Sequence, residues 1–143
     1  MAARWGIKGK TVPIKPVADL VAEARKEITI IPTGQAIGML NDPDVLFVDI
    51  RDVRELDREG RIPGAFHAPR GMLEFWIDPQ SPYYKPALGG GKKMLFFCAS
   101  AWRSALTVKT LQDMGAENIF DLEGGFSAWR NAGGPVEKAD KGT

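Results

Sequence analysis

Apolar residues recur along this chain in two alternating rhythms, one of helical period and one of continuous short runs. Val17, Leu20, Val21 and Ala24 follow i, i+3, i+4, i+7 spacing, which predicts a short amphipathic helix over residues 16–26. Ile28-Thr29-Ile30-Ile31 reads as a first strand. Thr33 is placed to cap a helix through Ala36, Ile37 and Leu40 to Asn41. Asn41-Asp42-Pro43-Asp44 is a turn. Val45-Leu46-Phe47-Val48 is an unbroken apolar run, as expected for a strand buried on both faces. Asp52 caps a short helix to Glu59, which residues 60–64 break. Phe66-His67-Ala68 is a brief strand, and Met72, Phe75 and Trp76 predict another helical turn or two. Residues 78–91, rich in Pro, Gly and Tyr, read as a loop. Lys93 to Phe97 is a strand, followed by a helix whose core face carries Ala101, Ala105, Val108 and Leu111. Asn118 to Leu122 is a last strand. Gly124-Gly125 opens a final helix with Phe126 and Trp129, and Gly133-Gly134-Pro135 stops it.

Short strands alternating with helices imply an α/β fold with a mostly parallel sheet covered on both faces. At 143 residues the simplest division is one domain over 16–137, with an arm at 1–15 and a tail at 138–143. That length supports a core without disulfides or metal. A net charge of +1 gives no reason to expect nucleic acid or a membrane surface as partner. No apolar run reaches membrane-spanning length, and the basic N-terminus lacks the apolar segment of a signal peptide. The single cysteine excludes an internal disulfide and fits a reducing, cytoplasmic setting. One Cys and one His make no zinc cluster.

The candidate chemistry lies in Cys98-Ala99-Ser100-Ala101-Trp102-Arg103-Ser104. The only cysteine stands where an apolar strand ends and a helix begins. Successive N–H groups in such a turn, backed by the positive end of a helix, form an anion-binding nest. The same field lowers a thiol pKa and favours the nucleophilic thiolate. The plainer reading is a buried small hydrophobe without chemistry. Against it stand the small residues that follow, Arg103, and the strand-to-helix position at which open α/β sheets bind ligands.

Four segments, in order, carry a resemblance to single-domain rhodaneses, the sulfurtransferase family. They are Val48-Asp49-Ile50-Arg51 with Glu55, Gly60-Arg61-Ile62-Pro63-Gly64-Ala65, Cys98 to Ser104, and Leu122-Glu123-Gly124-Gly125-Phe126 with Trp129. Together they span about residues 28–136, and the helix at 16–26 resembles the N-terminal addition of some members. The resemblance implies a five-stranded parallel sheet flanked by helices. It also implies a persulfide on Cys98 between half-reactions. Two positions depart from the family pattern. Arg61 stands where His is usual, at a position read as structural. Ala101 stands where Gly is frequent, and alanine is disfavoured if that position needs positive φ.

Sulfur transfer of this kind requires a thiolate at Cys98 and stabilisation of an anionic persulfide. The N–H groups of residues 99–104, the helix dipole and Arg103 are placed to supply both. A small anionic donor such as thiosulfate is attacked at its outer sulfur. A thiol, cyanide, or a thioredoxin-like or other acceptor protein then removes the sulfur. No metal or organic cofactor is expected. Cys-x4-Arg is one residue shorter than the Cys-x5-Arg loop of phosphatases that act by similar logic, and Phe97 occupies their His position, which favours sulfur over phosphate.

The supporting residues have two readings each. Arg103 is an anion contact or a solvated helix arginine, and Ser100 and Ser104 are loop ligands or small capping residues. Trp102 is a rim contact for the acceptor or plain packing. Asp49 and Arg51, at a strand end, are catalytic supports or an ion pair and loop brace involving Glu55. Arg70 is a second anion contact or a brace of the fold, and His67 is read as core or surface packing. Glu123-Gly124-Gly125 is expected to let a turn approach the cysteine loop closely. The competing functions are an interaction module on the same scaffold and a phosphatase or arsenate reductase.

Overall fold

The computed structural model describes residues 13–138. The expected arm at 1–15 and tail at 138–143 therefore lie almost entirely outside the described residues. Five parallel strands form one sheet: β1 (Ile30–Ile31), β2 (Val45–Asp49), β3 (Phe66–His67), β4 (Lys93–Phe97) and β5 (Ile119–Leu122), in the spatial order β1-β5-β4-β2-β3. Six α-helices are present among the described residues: α1 (Val17–Arg25), α2 (Thr33–Ile37), α3 (Val53–Glu59), α4 (Leu73–Ile77), α5 (Trp102–Asp113) and α6 (Gly125–Asn131).

Alternation along the strands separates two cores. Met94, Phe96 and Cys98 face one side of the sheet with Val48, Val108, Leu111 and Ile119. Leu95 and Phe97 face the other with Phe47, Leu122, Phe126 and Trp129. A period of two thus decides that the cysteine sulfur lies on the side covered by α5. β4 is the central strand. The chain leaves β2 towards β3 at one edge and leaves β4 towards β5 in the other direction. The reversal leaves a crevice at the carboxyl ends of β2 and β4, where open parallel sheets bind ligands.

Most boundaries agree with the sequence pattern, and the differences have local causes. β1 is shorter than Ile28–Ile31, because only Ile30 and Ile31 pair with β5; Ile28 packs instead against the α5-side core. Helix α2 ends at Ile37 rather than Asn41, and the remaining residues form turns. Thr33 does not cap it. Pro32 is the cap residue, and the Thr33 hydroxyl donates to the Glu123 carbonyl at 2.9 Å, tying β1 to the end of β5. Asp52 does cap α3, in a reciprocal box with Glu55. The loop at 78–91 contains one 3₁₀ turn, Pro86–Gly89.

Asp49 and Arg51 lie in the interior, 1% and 0% exposed. Arg51 Nη2 reaches Asp49 Oδ2 at 2.7 Å and donates to the Gly60 carbonyl at 2.9 Å. Its guanidinium lies 4.2 Å from the Phe126 ring centre. The pair joins β2, the end of α3 and α6. Removing one partner strands the other as a buried charge, so Asp49→Ala is expected to destabilise the fold by about 3–5 kcal/mol. Equilibrium denaturation in urea measures this, and a loss below about 1 kcal/mol would contradict a bracing role.

Candidate active site

Loop 98–101 links β4 to α5 and is held from below by the N-terminus of α6. Phe126 N–H donates to the Cys98 carbonyl at 2.8 Å and Ser127 N–H to the Ala99 carbonyl at 3.0 Å. That approach demands glycine at 125. A Cβ there would come within 2.6 Å of the Cys98 carbonyl oxygen, and its φ is +63°. The second glycine pair of the sequence thus lets the α6 turn approach the cysteine loop, as its composition implied.

With the loop carbonyls directed downwards, the N–H groups of residues 99–104 donate to no backbone carbonyl among the described residues. Six donors and the amino end of a twelve-residue helix therefore follow the cysteine directly in the chain. Such a run of free N–H groups is what an anion nest requires. Cys98 is 1% exposed, beneath a loop whose Ser100, Trp102 and Arg103 are exposed.

Ala101 adopts φ +71°, ψ +9°, the left-handed conformation that favours glycine. The strain is held by the surroundings: Arg25 of α1 donates to the Ala101 carbonyl at 3.3 Å, and Ala105 N–H donates to the same oxygen. Ala101→Gly is expected to relieve about 1 kcal/mol of backbone strain, partly offset by the freedom glycine gains in the unfolded chain. A higher urea midpoint with an unchanged slope is the outcome that checks it.

Arg103 is not an unpaired cation. Its guanidinium donates to both Glu55 oxygens, Nη1 to Oε2 at 2.8 Å and Nη2 to Oε1 at 3.0 Å. Glu55 also accepts from Asp52 N–H in the α3 capping box. Its carboxyl is held below the usual range, first by the Arg103 hydrogen bond, against partial burial. Arg103 is raised, first by Glu55, with the nearby Cys98 sulfur a smaller contributor. The pair fixes the guanidinium at the loop and leaves that corner without net charge. Glu55 thus braces the loop, through Arg103 rather than through Asp49 and Arg51.

Arg70 is not brought to the cysteine loop. It pairs with Glu74 at 2.9 Å and lines a groove with Leu20, Glu23, Leu106 and Lys109, which contains none of residues 98–104. It opens the 3₁₀ turn Arg70–Met72 that follows β3 and lies on the α1 side. His67 donates Nε2–H to the Arg51 carbonyl at 2.7 Å, a structural contact. Arg61 is likewise structural, exchanging both backbone hydrogen bonds with Glu137. Trp102 is 43% exposed on the rim.

Asp121 is the residue that sequence reasoning missed. It lies in β5, 1% exposed, and accepts from the Ser104 hydroxyl at 2.5 Å. Ser104 in turn accepts from the Cys98 thiol at 3.6 Å. Burial pushes the Asp121 carboxyl up to about 7, against the lowering by Ser104 and Arg25. Ionising it costs more in the folded than the unfolded chain, so its contribution to stability falls as pH rises from the ordinary carboxylate range towards 7. The available signal was a lone acid between Phe120 and Leu122 in the last strand.

A family model, the rhodanese-like domain, matches residues 33–132. The chain belongs to the rhodanese family. Among its relatives, an uncharacterized protein of Synechocystis is 31% identical over 120 residues, 83% of this chain. This chain spans 61% of that protein's length. The thiosulfate sulfurtransferase GlpE of Glaesserella parasuis is 28% identical, over 76% of this chain and 93% of its own. A solved structure from Rhodopseudomonas palustris is 49% identical, covers 90% of this chain and 98% of that one, and superposes with a TM-score of 0.84. It is described as a protein of unknown function and possible tyrosine phosphatase. No helix among the described residues is long and apolar enough to cross a membrane.

Proposed function

We propose that this protein is a sulfurtransferase that moves sulfane sulfur from thiosulfate, or a related persulfide donor, to a thiophilic acceptor through a persulfide on Cys98. The observation that carries the reading is the run of N–H groups at residues 99–104, without backbone acceptors among the described residues, that directly follows a lone cysteine at a helix N-terminus. In the first half-reaction the Cys98 thiolate attacks the outer sulfur of thiosulfate. A bond forms between Cys98 Sγ and that sulfur, the bond to the sulfonate sulfur breaks, and its electron pair leaves with sulfite. The terminal sulfur carries the negative charge, which the N–H groups of the loop, the α5 dipole and Arg103 stabilise. In the second, cyanide or a thiolate attacks the outer sulfur and Cys98 leaves as thiolate. With no second cysteine in the chain, the acceptor is external; the exposed Trp102 offers a contact for a thioredoxin-like or other carrier protein. No metal or organic cofactor enters either step, and a reducing cytoplasm suits the thiol.

The name borne by the Rhodopseudomonas structure makes phosphatase the reading to test against. A Cys-x4-Arg loop is one residue shorter than the Cys-x5-Arg loop that surrounds a tetrahedral phosphate. The deciding experiment sets intact mass after thiosulfate treatment beside hydrolysis of an aryl phosphate. Gain of one sulfur atom, lost again on adding cyanide, is expected. Phosphate release without sulfur uptake would replace the reading with a phosphatase. Neither activity would leave an interaction module.

A further inference from the structure

Ser104 joins Cys98 to a buried acid. The sulfur lies 3.6 Å from Ser104 Oγ, and that oxygen lies 2.5 Å from Asp121 Oδ1. All three side chains are 0–1% exposed. Asp121 Oδ2 is buried with no hydrogen-bond partner among the described residues. A buried carboxyl oxygen that lacks a donor favours the protonated form.

We propose that Asp121 is the internal acceptor of the Cys98 thiol proton, with the Ser104 hydroxyl as the carrier. The S–H bond breaks and its proton passes to Ser104 Oγ while the Ser104 proton passes to Asp121 Oδ1. Thiol and carboxylate become thiolate and carboxylic acid, with no change in total charge and no other reactant. The serine hydroxyl has one proton, so its direction reports the state of the whole chain of bonds. It donates to Asp121 when the sulfur is a thiol and to the sulfur when Asp121 is protonated. Negative charge thereby moves from the buried Asp121 carboxylate to the sulfur at the start of the loop.

The surroundings suit such an exchange. A cavity of about 330 Å³ lies beside Asp121, lined by Arg25, Ile30, Ala101, Asp121, Glu123 and Gly124. The groups facing Asp121 are Arg25 from α1, Ser104 from α5 and Glu123 across the cavity. Its strand neighbours, Ile30 in β1 and Phe96 in β4, carry no charge. Desolvation raises the Asp121 carboxyl to about 7. Sequence reading assigns Ser104 to the loop alone and gives Asp121 no part.

The inference rests on Cys98 as the reacting sulfur, whichever donor it meets, so the test uses the thiol itself. The rate of Cys98 alkylation by iodoacetamide is followed against pH. Wild type is expected to show two steps, because the two sites titrate as a coupled pair. Asp121→Asn, which cannot accept a proton, and Ser104→Ala, which cuts the path, are each expected to give one step. Asp121→Asn removes the neighbouring negative charge, so its single step should lie about one pKa unit below the upper wild-type step, with alkylation up to about tenfold faster in that pH interval. Ser104→Thr keeps the hydroxyl and should restore two steps. A wild-type profile of one step, or two steps retained in Ser104→Ala, would overturn the proposal.

Infrared spectroscopy of the wild type covers the case in which a variant fails to fold. Blocking Cys98 with iodoacetamide should change the pH at which the buried carboxylic acid band disappears, and an unmoved band would overturn the proposal. Two-step alkylation without sulfur uptake from thiosulfate would refute the sulfurtransferase reading and leave the relay standing. Sulfur uptake with one-step alkylation would do the reverse.

Discussion

Replacing Cys98 by serine is expected to abolish sulfur uptake and transfer while the fold survives. The sulfur is the only thiol in the chain, so no second residue can carry the intermediate. A serine hydroxyl is of similar size but stays protonated and is a poor nucleophile. The new hydroxyl lies in an apolar cluster with Phe96 and Val108, and Ser104 Oγ is within reach to accept from it. The cost in stability is therefore about 1–3 kcal/mol, within what a domain of this size tolerates. Intact mass after thiosulfate measures the first point, and thermal melting the second. Sulfur gained by Cys98→Ser would remove the cysteine from the mechanism.

A residue inserted between Ser100 and Arg103 is expected to lower sulfur transfer far more than stability. The cradle depends on N–H groups converging on one point, and the α6 contacts to Cys98 and Ala99 fix only its first half. An added residue widens the second half, and it also displaces Ala101, whose left-handed turn aims the chain into α5. Losing one well-placed donor costs about 3–4 kcal/mol of transition-state stabilisation, a factor of a few hundred in rate. The sheet need not respond, because the loop lies beyond the carboxyl end of β4. Thiosulfate:cyanide transfer measured beside thermal melting tests this. Near-normal transfer would show that loop length does not select sulfur, and the phosphatase reading would have to be reopened.

The cysteine-loop half of the candidate site was legible in the chain because its signals are local. An apolar strand, one cysteine, small residues and a helix lie in sequence, and their order alone produces the nest. The same holds for Gly124-Gly125, where composition reports a close approach without naming its target. Arg103 was legible as a residue of the loop but not as the partner of Glu55, which is 48 residues away and is itself fixed by capping α3. Arg70 misled for the same reason: charge after β3 points towards the carboxyl edge, but the 3₁₀ turn it opens lies on the α1 side.

The chain's own pattern was enough to determine the α/β class, the parallel sheet and the position of the cysteine at a strand-to-helix switch. Each of these follows from periodicity and turn chemistry over a few residues. Only the tertiary structure decided which buried polar groups meet. Asp49 and Arg51 are two residues apart and still needed Gly60 and Phe126 to become a brace. Asp121 reads as one acid in a short strand until parallel pairing sets β5 beside β4, and α5 then brings Ser104 between its carboxyl and the sulfur. Hydrogen-bond partners across a sheet are set by register and layer packing. Alternation along a strand fixes which face a residue takes, but not which residue of another element meets it there.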